Sequence, residues 1–200
     1  ARHRAGPVLT DSGQGATVRV LGVAAGRQKL RRTDADIEAA VKAWLDDPVS
    51  AEAEYGHIAK WNVKAVTRMT ELFSGAYRLD GMFYDARSFN EDVSGWDVSN
   101  VTTMYGMFSN AKSFNQDVSG WDVSNVTNMA GMFRGAKSFN QDVSGWDVSN
   151  VIDMGGTFMG ARSFDQDVSG WDVSSVTDMG GMFRDATSFN QDVSGWDVSN

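Results

Sequence analysis

From Ala86 onward the apolar and polar positions recur with a period of 25 residues and no insertions. The stretch Ala111 to Gly135, AKSFNQDVSGWDVSNVTNMAGMFRG, serves as the type. Trp121-Asp122-Val123 alternates apolar, polar, apolar, which predicts a short strand with one buried face. Val118, three residues earlier, enters the same core. After Ser124-Asn125 the spacing changes. Val126, Met129, Met132, Phe133 and Ala136 follow i, i+3, i+6, i+7, i+10, which predicts one face of a short helix. Ser124 or Asn125 is placed to cap its first turn. Asp153 and Asp178 would meet the positive end of the equivalent helices. Gly135 or Asn110 can close the helix in the left-handed conformation. Lys137-Ser138 then turns the chain, and Phe139 re-enters the core.

The same segment returns as 86–110, 136–160 and 161–185, with a partial copy over 186–200. Trp96, Trp121, Trp146, Trp171 and Trp196 mark the register. Self-similarity at such a period is the signature of stacked repeats. One coil cannot bury its own apolar face, whereas stacked coils share a continuous core. The predicted class is α/β: a solenoid with one short parallel strand and one short helix per coil. Strands stack about 4.8 Å apart and helices about 8–10 Å apart, which would place the helices on a convex side and the Asp97-type residues on a concave strand face. Gly106, Gly131, Gly156 and Gly181 fall inside the predicted helices, which suggests close helix-to-helix approach there.

Upstream, Ile37, Val41, Trp44 and Leu45 follow helical spacing after Thr33-Asp-Ala-Asp36, and Pro48 stops the run. This reads as a helical N-terminal cap over 33–60. Trp61-Asn62-Val63 begins the repeats, which span 61–200. The first coil, 61–85, is irregular: Trp61 to Trp96 is ten residues too long, with the excess around Glu71 to Asp80. Val66, Met69, Leu72 and Phe73 are its predicted helix face. The last coil stops at Asn200 before its helix, which predicts that the chain continues or that a partner covers Trp196 and Val198.

Charge divides the chain. Residues 1–32 hold seven Lys/Arg and one Asp, a net of +6, whereas 33–200 hold 11 bases and 25 acids, a net of −14. The Gly-rich arm 1–32, with Arg19, Arg27, Lys29, Arg31 and Arg32, is therefore a candidate tether for an acidic neighbour. The chain opens on Ala rather than Met, which predicts a processed or truncated product, and the Arg-rich, acid-poor but Ser-poor arm resembles the neighbourhood of an organellar transit peptide. No apolar run is long enough to predict a membrane span. The acidic body argues against nucleic-acid binding. The chain contains no Cys, so there is no disulfide framework and no thiolate metal site.

The repeat SFNQDVSGWDVSNVTNM followed by MF resembles that of BspA-like leucine-rich-repeat surface proteins, from Trp61 to Asn200. The resemblance implies a leucine-rich-repeat-like solenoid, a cell-surface or extracellular place, adhesion or other protein binding, and no catalysis. It implies no particular site residue.

The residues agree with that blank. His3 and His57 are the two histidines, and no serine is paired with a base in sequence. Carboxylates that recur in every coil do not single out one acid–base pair. No cofactor fingerprint is present: Gly13-Gln-Gly15 lacks the remainder of a dinucleotide motif. Two acidic rows remain, Asp92/117/142/167/192 and Asp97/122/147/172/197. Their side chains either accept hydrogen bonds within turns or, for the Asp97 row, form a metal candidate or a surface for a basic partner. Asn100-Val-Thr102 and Asn125-Val-Thr127 are glycosylation sequons whose asparagines also suit helix capping. The function predicted is a non-enzymatic, protein-binding scaffold at a surface. The alternative is an accessory structural subunit of a large organellar membrane complex, tethered by the arm.

Overall fold

The structure is a computed structural model that describes residues 30–67 and 83–199. The calls on Arg19, Arg27, Lys29, Met69, Leu72 and Phe73 lie outside the described residues. Strand β1 (Arg31–Thr33) is followed by helix α1 (Ile37–Asp46), helix α2 (Pro48–Tyr55), a single 3-10 turn (Ile58–Lys60) and strand β2 (Asn62–Ala65). β1 and β2 pair in parallel.

Helix α1 buries Ile37, Ala40, Val41 and Trp44 against the first coil. Leu45, expected on that face, stays 36% exposed. Pro48 ends α1 as anticipated and also opens α2, at whose N-cap Asp47 accepts from the N–H groups of Val49 and Ser50. Asp36 caps differently: its Oδ1 accepts from the N–H and hydroxyl of Thr33, on the upstream side.

The repeats depart from the expected elements. Between residues 83 and 199 the described chain forms neither a helix nor an extended strand; it runs as linked turns with isolated parallel bridges. In the type coil, Trp121, Val126, Met132, Arg134, Ala136 and Phe139 each donate their N–H to the carbonyl three residues back. The alternate peptide groups are free to bond along the stack. Met129, Gly131, Phe133 and Gly135 donate to Asp153, Gly155, Thr157 and Met159 of the next coil, at 2.7–2.9 Å. Met104, Gly106, Phe108 and Asn110 repeat the pattern one coil earlier, and Met154, Gly156, Phe158 and Gly160 one coil later. Four columns of peptides thus point the same way. Two others run oppositely, through Thr127 to Thr102 and through Ser138 to Lys112.

Left-handed residues cause this replacement of helix by turns. Gly131 has φ +63° and Gly135 φ +69°. A left-handed residue rotates the following peptide out of the helical direction and aims it at the neighbouring coil. The glycine that looked like a helix-contact residue is therefore a conformational requirement. A Cβ on Gly131 would find only Arg134 Cβ, at 3.9 Å, so crowding is not the reason. With no helices in the coils among the described residues, the spacing argument for a convex helical side has nothing to act on there.

On the tryptophan side the coils are tied by side chains. The residues Trp121-Asp122-Val123 have the predicted in–out–in burial but no backbone ladder. The indole N–H of each Trp reaches one coil back: Trp121 to Val93, Trp146 to Val118 and Trp171 to Val143, at 3.0–3.1 Å. Asn125 Nδ2 donates to the Ser99 carbonyl and Asn150 Nδ2 to that of Ser124. Asn125 is thus a tie between coils and not a helix cap.

Inside, two phenylalanine columns run the length of the stack. Phe83, Phe108, Phe133, Phe158 and Phe183 form one, with centroids 5.3–5.7 Å apart. Phe89, Phe114, Phe139, Phe164 and Phe189 form the other, about 6.0 Å apart. Within each coil the two rings stack at 3.8–4.0 Å. Such aromatic pairs contribute about 0.5–1.5 kcal/mol each beyond their buried area. Phe83 fills this place ahead of the first regular coil.

Candidate functional site

The coil geometry lines up equivalent side chains into rows along the stack. In the Asp97 row, each Oδ1 accepts the N–H of the serine two residues on, at 3.1–3.2 Å. The serine hydroxyl adds a bond of 2.6–2.7 Å to the same oxygen. In the other row, Asp92, Asp117, Asp142, Asp167 and Asp192 hold their serine N–H at 2.9 Å. Turn acceptance is therefore what these oxygens do.

These bonds favour the charged carboxylate. For Asp97, Asp147, Asp172 and Asp197, the serine hydroxyl and then its N–H hold the pKa below the ordinary aspartate value. For Asp117, Asp142, Asp167 and Asp192, the serine N–H comes first and the hydroxyl second. Both rows are exposed, and Asp97 also pairs with Lys64 at 3.3 Å. Among the described residues, no three His, Cys, Asp or Glu converge to hold a metal ion. The metal candidates Asp97, Asp122, Asp147, Asp172 and Asp197 sit in separate turns, one per coil.

The remaining candidates separate. Arg32 is not a free arm residue. Its side chain is buried in the cap, bonded to Asp36 at 2.6 Å and to the Tyr55 carbonyl at 3.0 Å. Its guanidinium lies over the Tyr55 and Trp61 rings at 5.3 and 5.2 Å. Arg31 is exposed on β1. The folded cap therefore includes both residues, and the arm boundary drawn at residue 32 is too late. His57 Nδ1 accepts the Ala59 N–H, and its ring meets Trp44 edge-on at 5.0 Å. An open groove of about 420 Å³ lies between α1 and the first coil, with Lys42, Leu45, Tyr84 and Phe89 in its wall. It presents no nucleophile bonded to a base.

Chain-wide comparison agrees with the repeat geometry. The family described as Mycoplasma protein of unknown function, DUF285, matches residues 49–81, 77–163 and 117–200. The chain belongs to this family. No curated protein and no solved structure matches it. Among the described residues, no helix is long and apolar enough to cross a membrane.

One row escaped the sequence reading, which followed the acidic excess. Arg87, Lys112, Lys137 and Arg162 occupy the same place in four successive coils. Ser113, Ser138 and Ser163 donate to the carbonyls of Arg87, Lys112 and Lys137, so the basic residues stack in register. Their 25-residue spacing was visible from the start.

Proposed function

We propose that the chain is a non-enzymatic, protein-binding scaffold of the BspA-like, leucine-rich-repeat-like solenoid kind, acting at a cell surface or outside the cell. The observation that carries this reading is the repetition of pre-set carboxylates. Each exposed aspartate is fixed by its own serine in every coil, so a basic partner would meet a rigid, charged row with little side-chain ordering left to do. A second reading, an accessory subunit of an organellar membrane complex, is favoured by the +6 of residues 1–32 against the −14 of the remainder.

The test is selective labelling of intact source cells, followed by native isolation with mass spectrometry. Surface labelling with a salt-sensitive protein partner is expected. Binding of that partner should weaken when Asp122 and Asp147 are replaced by Lys. A stoichiometric organellar complex would select the second reading. A partner that binds the double variant unchanged would overturn the role of the row.

A further inference from the structure

We propose that Asn100 and Asn125 are modification sites, each carrying an N-linked oligosaccharide. The inference rests on the surface or extracellular reading above, because such transfer takes place on chains threaded across a membrane as they are made. Among the asparagines up to Asn190, Asn100 and Asn125 alone have Ser or Thr two places on, in Asn100-Val101-Thr102 and Asn125-Val126-Thr127. The two triplets occupy the same place in successive coils. Both asparagines and both threonines are exposed, and the valine between them is buried. The valine therefore anchors the triplet while its two ends meet solvent. Each Nδ2 donates to one upstream carbonyl, Asn100 to Lys64 at 2.7 Å and Asn125 to Ser99 at 2.8 Å. An amide nitrogen carries two hydrogens. A sugar replaces one and leaves the other for the tie, so the modified coil can still close.

The step is a glycosyl transfer. The amide nitrogen forms a bond to the anomeric carbon of a lipid-diphosphate-linked oligosaccharide. The bond from that carbon to the diphosphate oxygen breaks, and an amide proton is lost to a base. The hydroxyl two places on is what the transferase engages, so it must be free at that moment. In the folded chain it is not: Thr102 Oγ1 donates to the Thr67 carbonyl at 3.3 Å and Thr127 Oγ1 to the Thr102 carbonyl at 3.1 Å. Transfer therefore precedes closure of the coil, and the fold leaves an interval for it. Met104, Gly106, Phe108 and Asn110 find their acceptors only between residues 128 and 134. The coil with Asn100 lacks these bonds until the next coil has been made. The coil after that supplies a control. Asn150 is exposed in the same place, and its Nδ2 donates to the Ser124 carbonyl at 2.8 Å. Ile152 stands where the hydroxyl would be. The asparagine geometry is thus repeated without the hydroxyl, and Asn150 should stay unmodified.

The experiment takes the protein isolated from surface-labelled source cells. Its peptides are treated with a peptide-N-glycosidase in heavy-oxygen water, which turns each glycosylated asparagine into a mass-tagged aspartate, and are read by mass spectrometry. Tags on Asn100 and Asn125, and none on Asn150, are expected. The full chain is also secreted from a eukaryotic host as the parent, as Thr127→Val and as Ile152→Thr. Thr127→Val should lose the tag at Asn125 alone, and Ile152→Thr should gain one at Asn150. If Thr127→Val does not fold, the gain in Ile152→Thr carries the same test. Untagged Asn100 and Asn125 in protein that the surface label reaches overturn the proposal and leave the surface reading standing. Untagged Asn100 and Asn125 in protein that no surface label reaches overturn both together. A tag on Asn150 in the parent, or one on Asn125 that survives Thr127→Val, removes the role of the hydroxyl and with it the proposal.

Discussion

The Trp121 indole N–H donates to the Val93 carbonyl one coil back, at 3.1 Å, so the residue that sets the repeat register also fastens the repeats together. Its ring is 3% exposed. Trp121→Ala is expected to destabilise the fold by about 3–5 kcal/mol, through lost burial and a cavity. Trp121→Phe should keep most of the packing yet cost about 0.5–1.5 kcal/mol, because the Val93 carbonyl loses the indole donor and keeps only the Trp96 N–H. Urea unfolding distinguishes the two, and an unchanged midpoint for both would refute the tie.

Gly131 and Gly120 make a paired test of backbone conformation. At Gly131 the chain is left-handed, with φ +63°. Gly131→Ala should cost about 1–2 kcal/mol, although the added methyl has room. At Gly120 no atom lies within 4 Å of an added Cβ and φ is not positive. Gly120→Ala should change stability little. Equal melting temperatures for the two variants would contradict the conformational account.

Asn125 should be needed for its donor. Its Nδ2 meets the Ser99 carbonyl at 2.8 Å. Asn125→Asp places an acceptor against an acceptor and should destabilise by about 1–2 kcal/mol. The fifth coil carries Ser175 at the equivalent position. Ser175→Asn should restore the tie to Ser149 and stabilise by about 0.5–1 kcal/mol. Thermal melts of the two single variants in opposite directions are expected; a shared direction would remove the argument.

Acid should weaken the stack through its aspartates. Asp97, Asp117, Asp142, Asp147, Asp167, Asp172 and Asp197 have folded pKa values below the ordinary one. A depressed folded pKa stabilises the protein above the unfolded value, about 3.9 for aspartate, and that contribution is lost as pH falls through the lower folded values. The urea midpoint should therefore be steady from pH 7 to 5 and drop below about pH 4. Ser149→Ala/Ser174→Ala, which removes the hydroxyls on Asp147 and Asp172, should flatten the drop. A midpoint that stays level down to pH 2.5 would show that the serine bonds do not discriminate between protonation states.

Residue spacing told inside from outside well. Trp121, Val123, Val126, Met129, Met132, Phe133 and Ala136 are all buried, as their positions predict. It did not tell helix from turns. Both arrangements return an apolar side chain to the core every third or fourth residue, so Val126 to Ala136 fits either. The discriminating signal was Gly131, repeated at 106, 156 and 181: a glycine recurring inside a helix costs about 1 kcal/mol each time, whereas the same glycine at positive φ is the residue that backbone requires. Asn125 misled for a related reason, because an amide suited to capping is equally suited to reaching across a gap. The cross-coil reach of Trp121 had no local trace, since its acceptor lies 28 residues away.

Because the hydrogen bonds of each regular coil reach only the coil before and the coil after, a pull on the two ends of the chain has no long lever on the interior. Force would strip the stack one turn of the spiral at a time. Each event would free 25 residues, roughly 80–90 Å of contour at about 3.3–3.6 Å per residue. Extended at constant speed, the molecule would give an evenly spaced sawtooth, lengthening in equal steps.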